Sequence, residues 1–579
     1  MRCLHAIAAS CVLVACSGSH KAPTPDGNTE PFSLVASITG PVALTQTACS
    51  YDPFVATASL GDNVAPADTD TTIAIAGEDA GGAPLEVFAD AACTTPLTHL
   101  TLPAGQTTTT AMFYLIAGSP GATNVGAYHD QIAVTRLGLM VYNAINIRTT
   151  QLASVPQAIG DGIADDTASL NAAIVYASTT LPRDFPSGPL ATPQAIVYVP
   201  AGTYQIKGVT TTDALGTYSD VRLEISADAV FRESTTSTAG ANSLFAIDSP
   251  SGGGPVQNVT LIGVGAGADT SLKQGIATGW DVSHSFTVDV DPATTGADPN
   301  LEPLLIEYAQ GVLVQNLFSI ANDANADATL PTFLNPVTKL YGHNDSPDSD
   351  HFYGPSQITY TNHYHLHGCL GCGAIQVQGG RTLDFTQIFS SGGIALRFET
   401  DRVGDYTLNQ NGCKSLAQGG GGTDCTCSAA APCALLYYSE IADAHADTIS
   451  CVAGHSAVSF VPHNQVNETV DVQHVSSTNC DTAIETGDGM LDDRLPPGSF
   501  GATTIEGVTC IGSSSGDDEA QHDTAGPQAW LPGQESTSPV CWASATSVPL
   551  TISGCTMTGL FAGADSRCKV DTSATCTAM

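Results

Sequence analysis

From residue 258 onward one kind of phrase keeps returning: "NVTLIGVG", "GVLVQNLFSIAN", "AIQVQGGRTLDFTQIFSSGG", "ALRFETD", "DTISCVAGHSAVSFVPHN", "ETVDVQHVSSTNCDTAIETGDG" and "TISGCTMTGLFAG". Each is a short alternation of apolar and polar residues closed by Asn, Gly or Ser. The phrases recur at roughly the length of one coil of a β-solenoid, about twenty to thirty residues. In such a fold each coil turns its apolar side chains inward and lays its strands parallel on the next coil. Outward side chains of successive coils then form rows, which suits an extended polymer as ligand.

The chain has 579 residues, too many for one ordinary core, so more than one domain is expected. Residues 1–16, "MRCLHAIAASCVLVAC", combine Arg2 with an apolar run too short to span a bilayer and a small-residue processing site. The ending Leu13-Val14-Ala15-Cys16 resembles the lipobox of bacterial lipoproteins, which implies lipidation at Cys16 and, with Ser17 next to it, an outer-membrane or cell-surface lipoprotein. Residues 17–31 are polar and Pro-rich and read as a tether. Short Thr- and Val-rich runs over residues 32–145 predict a small β-sandwich, Ig-like, with Cys49 and Cys93 as a candidate bridge and with no catalytic cluster.

At "GDGIADDTASLNAAIVYA" the pattern becomes helical. Leu170, Ala173, Ile174 and Ala177 share a face, and Asp165, Asp166 and Thr167 suit a helix start. With the strand-turn-strand "AIVYVPAGTYQIKG" after it, this resembles the opening of right-handed parallel β-helix polysaccharide enzymes, the pectate lyase-like superfamily. The resemblance implies an all-β right-handed parallel β-helix over residues 150–579, plugged by the helix, with Cys-rich coils or a cap from about residue 500.

Composition narrows the partners. There are 56 acidic and 17 basic residues, a net charge of −39, which excludes nucleic acid, since that partner needs a basic face. Of 18 cysteines, Cys3, Cys11 and Cys16 belong to the leader, and the odd number remaining suits disulfides in an oxidising compartment with at least one left over. Cys369-x-x-Cys372 and Cys425-x-Cys427 fit disulfides better than zinc. His363, His365 and His367 alternate and read as surface or stacking histidines, with a groove-lining role open, rather than metal ligands. "HNDSPDSDHF" offers Asp345, Asp348 and Asp350 for a structural calcium, and "NDANAD" is similar, but neither matches a full EF-hand.

The chemistry gathers around "IALRFETD". If Ile394, Leu396 and Phe398 face inward, then Ala395, Arg397, Glu399 and Asp401 face outward. The same phase turns Gln376, Gln378, Ser459, His463 and Glu485 outward. Two carboxylates at i and i+2 lie about 6.5–7 Å apart at Cα, nearer the ~6.5–9.5 Å of inverting glycosidases than the ~5–5.5 Å of retaining ones. Taken alone, an acid-x-acid strand in so acidic a chain is more often a solvated face.

"SSGGIALRFETD", with "GCGAIQVQGG" before it and "CVAGHSAVSFVPHN" after it, resembles the central coils of the iota-carrageenase family, glycoside hydrolase family 82. The resemblance spans about residues 150–490 and implies an inverting endo-hydrolase of β-1,4 linkages in a sulfated galactan. It makes Glu399 the general acid and Asp401 the general base. Gln376 would help hold the attacking water, His455 or His463 would lie beside the reaction centre, and Glu485 would be an auxiliary acid. Arg397, Gln378, Arg381 and Arg402 would contact substrate. The chemistry would need no cofactor, and a monomer is expected. The Cys- and Gly-rich insertion "NGCKSLAQGGGGTDCTCSAAAPC" departs from the family pattern and leaves the histidine assignment open. Scarcity of Arg and Lys leaves open a less sulfated or neutral galactan. Two alternatives stand beside the hydrolase: a β-helix lyase acting on a uronate polymer, and a carbohydrate-binding or adhesive solenoid without activity.

Overall fold

The structure is a computed structural model. It describes residues 34–578, apart from 61–68, 208–214, 235–242, 292–300, 322–334, 342–353, 401–439, 488–497, 512–539, 559–575 and several shorter stretches that include 463–464. It divides into two units, Met1–Val141 and Tyr142–Met579.

The first unit is a sandwich of two antiparallel sheets. Strands Leu34–Thr39, Phe54–Leu60, Thr108–Ile116 and Glu86–Phe88 form one, and Ala43–Thr45, Ile132–Tyr142, Gly121–His129, Thr71–Glu78 and His99–Leu102 the other. Alternation explains the arrangement: in "FVATASL" Phe54, Ala56, Ala58 and Leu60 are buried and the residues between them are not. Phe54 stacks on Phe113 of the neighbouring strand at 5.3 Å, and Cys49 and Cys93 form a disulfide.

The second unit is a right-handed parallel β-helix, in which each strand pairs parallel with the strand one coil further on. It opens on a helix, α1 (Thr167–Thr179), whose Leu170, Ala173, Ile174 and Ala177 are buried in the same core as the first coils. The aspartates before it do not all cap it. Asp165 accepts the Thr167 amide at 3.0 Å, but Asp166 makes no side-chain cap and accepts instead the amides of Ile159 and Gly160 at 2.7 and 3.2 Å. Burial, only partly offset by those two amides, raises its carboxyl above the usual range. Asp166 thus fastens the preceding segment to the helix start.

The coils bend at single residues in the left-handed region. Asn316, Asn362, Gln387, Thr448, His474 and Gly507, with φ between 52° and 72°, fall in register on successive coils. Asparagine tolerates this conformation and can also bridge coils. Asn362 Nδ2 donates to Asn316 Oδ1, and Asn316 Nδ2 donates to the Gly263 carbonyl, both at 3.0 Å.

Inside, inward residues from successive coils stack. Phe398 lies parallel to Phe460 at 5.4 Å and edge-on to Phe385 at 6.0 Å, and Phe460 meets Phe500 at 5.4 Å. Cys451 and Cys480, 29 residues apart, are joined by a disulfide, a link between neighbouring coils that spacing of one repeat could have suggested. Ala395 differs from the simple alternation. It is fully buried and joins Ala457 and Ala483 in the core cluster, because alternation sets a side chain's direction and not its depth.

Phe398→Ala should remove one member of this stack at a cost of about 3–5 kcal/mol. The measurement is the urea midpoint of the β-helix transition at unchanged m-value; a loss under about 1 kcal/mol would show that the coils close around the gap.

Candidate active site

One face of the β-helix carries the polar residues singled out from the sequence. It is built from strand Thr338–Leu340, the last residues of Ser356–Val377, the last residues of Gly380–Glu399, and strands Ser456–Val461 and Thr482–Thr486. Register places Lys339, Gln376, Arg397, Ser459 and Glu485 opposite one another on successive coils, one straight row. Neighbouring members are about 4.8 Å apart along the stack. A second row runs beside it. Ile247, Ile306, Leu340, Val377 and Phe398 are in register, so the residues that follow them, Asp248, Glu307, Tyr341, Gln378 and Glu399, line up as well.

Glu399 is held from two sides. Arg397 Nη2 donates to its Oε1 at 2.8 Å, and the Gln376 amide is in close contact with its Oε2. Its side chain is 10% exposed, and Gln376 and Gln378 are buried beside it. The two oxygens therefore sit in different surroundings, one against a fixed cation and one against an amide that can present either N–H or C=O.

One coil on, His455 Nε2 lies 3.2 Å from Glu485 Oε1, with side chains 24% and 29% exposed. Burial raises the Glu485 carboxyl, but the His455 hydrogen bond and charge, the Ser459 hydroxyl and the Arg397 charge together outweigh it, and the carboxyl is pulled down to about 2. Glu485 is thus an anion at any working pH, and it holds the His455 ring through this contact. Of the two histidines left open by the sequence, the structure brings His455 to this cluster; His463 lies outside the described residues.

Arg381 follows the bend after Gln378 and pairs with Glu440 at 2.9 Å. Asp401 and Arg402 fall outside the described residues, as do Cys16, Asp345, Asp348, Asp350, Cys425 and Cys427, and the side chains of Cys369 and Cys372. Among the described residues no group of three acidic, His or Cys side chains is placed to hold a metal ion.

Surface placement is corrected for two of the three alternating histidines. His363 and His365 are 0% and 2% exposed, and Ser319 Oγ lies between them, 3.0 Å from His363 Nε2 and 2.9 Å from His365 Nδ1. Two-residue spacing put them on one side of the strand, and register with Leu317 and Ser319 makes that side the inside.

Residues that sequence reading passed over occupy the upstream part of the rows: Lys339, Tyr341, Asp248 and Glu307. Burial first, then the charge of Asp248 and a hydrogen bond with it, pushes Glu307 up to about 8. The signal that could have found them is the row itself, since "LLIE" and "TKLY" share the in-out phase of "IQVQ" and "LRFE".

A curated iota-carrageenase from Alteromonas macleodii is 30% identical to this chain over 123 residues, 21% of this chain and 19% of that protein. Over that stretch the chain is similar to an iota-carrageenase. The match takes in less than a fifth of that relative's length.

Solved structures resemble this one over far more of the chain. The iota-carrageenase from A. fortis, in the absence of chloride ions, matches with a TM-score of 0.50 at 17% identity, covering 75% of this chain and 89% of that one. An iota-carrageenase complexed to iota-carrageenan fragments gives a TM-score of 0.49 at 17% identity, covering 72% and 88%. At such identities the likeness is one of fold. No protein-family model matches the chain.

Buried titratable groups of the β-helix predict a specific acid response. Burial holds His363 well below the ordinary imidazole value and His365 at about 3. A histidine depressed in the folded state is protonated first in the unfolded chain, so its stabilisation is complete above about pH 6.5 and is lost as pH falls toward the folded value. Glu485 adds a second loss between about 4.5 and 2. The unfolding free energy should start to fall below about pH 6.5, by about 1.4 kcal/mol per pH unit for each histidine kept neutral. Urea titrations at pH 7.5, 6, 5 and 4 measure it, and a flat profile down to pH 5 would contradict this burial.

Proposed function

We propose that the β-helix unit is a carrageenan-degrading glycoside hydrolase, an inverting endo-enzyme acting on β-1,4 linkages of a sulfated galactan. The observation that carries this is Glu399, an almost buried carboxyl gripped between Arg397 and Gln376 in a row of polar residues on coils whose fold is that of iota-carrageenase. In the catalytic cycle Glu399 acts as general acid and Asp401, two residues on, as general base. When Glu399 is protonated, its hydroxyl donates to Gln376 Oε1, and the amide therefore serves both the acid before transfer and the carboxylate after it. Arg397 stabilises the carboxylate that remains when the proton has gone to the leaving oxygen. Gln378, buried next along the row, faces the same space. The anionic Glu485 holds His455 in position one coil away.

The lyase reading is weaker because the basic residue beside Glu399, Arg397, is committed to an ion pair with it and does not give up a proton in proteins.

Export and lipidation at Cys16, with a surface-anchored monomer as the product, complete the reading. Lipid labelling that disappears in Cys16→Ser would support the anchor, and labelling unaffected by that change would refute it.

The experiment is to incubate the leader-free protein with iota-, kappa- and lambda-carrageenan, agarose and pectate, and to follow reducing ends, ultraviolet absorbance and the product anomer by NMR. New reducing ends of inverted configuration, without ultraviolet absorbance and with a chelator present, are expected on a carrageenan. Glu399→Gln and Asp401→Asn should each lower kcat by a factor of 10² or more, in line with loss of general acid or base catalysis. Gln376→Leu should cost less. Absorbance at the double bond would mean a lyase, and binding without cleavage on all five glycans would mean an adhesive solenoid.

A further inference from the structure

We propose that Lys339 and Tyr341 form a substrate subsite one coil before Gln376, where the Lys339 ammonium receives a sulfate ester of the galactan. This rests on the reading of the β-helix unit as a galactan hydrolase and adds to it the residue that selects a charged sugar.

Three observations lead there. Lys339 is in register with Gln376, which is in register with Arg397, so the ammonium stands on the very row that carries the acid's two partners. Its neighbours Thr338 and Leu340 are fully buried, while its own side chain keeps 21% exposure and faces outward. Finally, its position is fixed. Glu302 Oε1 accepts one of its protons at 2.8 Å, and Nζ lies 5.2 Å from the centre of the Tyr341 ring. An ammonium has three donors, so a carboxylate that orients it still leaves protons for an anion lying on this face. Tyr341, in the row of Glu399, supplies an aromatic ring beside that cation for the apolar face of a sugar.

Spacing agrees with one sugar per coil. Lys339 and Arg397 are two coils apart, roughly 10 Å, so a chain laid along the row meets a cation at alternate units, as it would in a polymer whose repeat is a disaccharide. Upstream of Tyr341 the row turns to Glu307 and Asp248. These carboxyls offer a sulfate no counter-charge, and the cationic stretch of the groove therefore ends at Lys339.

The test uses the full leader-free chain. Lys339→Met should raise KM on iota-carrageenan about five- to tenfold with kcat within about twofold. Lys339→Arg should restore most of the loss. A Lys339→Met enzyme with unaltered KM, or one that loses kcat alone, overturns the proposal. Should Lys339→Met not fold, Lys339→Gln replaces it with the same criteria.

If the wild-type chain cleaves no galactan, the hydrolase reading fails and calorimetry decides the subsite separately. Iota-carrageenan oligosaccharides should then bind wild type at least fivefold more tightly than Lys339→Met, and chemically desulfated oligosaccharides should bind both alike. Equal binding of the sulfated ligand by both proteins would refute the subsite.

Discussion

In-register parallel hydrogen bonding between coils is the constraint on which the rest of this molecule depends. Once Val377 is paired with Phe398, and Phe398 with Phe460, the inward or outward direction of every neighbouring side chain is copied from coil to coil. The same pairing stacks Phe398 on Phe460 inside and aligns Gln376, Arg397 and Ser459 outside. Core and site are thus two faces of one register. A slip of one residue would bury Arg397 and expose Phe398 together, so the aromatic stack that stabilises the fold also fixes the position of the polar row.

The row gives fixed spacing, and charges along it are paired. Glu399 has Arg397, Glu485 has His455, and Lys339 has Glu302. None of these pairs is worth much as a surface ion pair. Their effect is positional, because each holds a long side chain in one rotamer where a loop-borne site would need a closing lid. The partial burial of Glu399 and Glu485 strengthens these contacts relative to water, which is why Glu485 stays ionised despite burial that would otherwise raise it.

The sequence revealed most where period and phase act together. Repeats of coil length announce a solenoid, and alternation in "IALRFETD" and "AIQVQ" places Gln376, Arg397 and Glu399 on one face. Direction was legible; depth and partnership were not. Nothing in the alternation distinguishes Ala395, which is buried, from Arg397 two residues on, and nothing in "HYHLH" says whether its histidines look into the coil or out of it. That answer comes from which residues lie opposite on the next coil. Lys339, Tyr341, Asp248 and Glu307 escaped for a related reason: each lies in or directly after a strand of three residues, too short to show a period alone, and they fall into rows only when the register joins them.

The acidity of the chain, −39 overall, would repel a polyanion at long range, yet the same surplus sharpens recognition at contact. At physiological ionic strength charges separated by more than about 8 Å are largely screened, so an approaching polymer responds mainly to the groups it touches. In a groove where carboxylates are the rule, two cations two coils apart stand out more clearly than they would on a uniformly basic surface, which holds an anionic chain in any register. Sparse cations set against acids would therefore favour one alignment of a sulfated polymer over its neighbours, and the proposed endo-hydrolase needs that alignment to bring the scissile bond to Glu399.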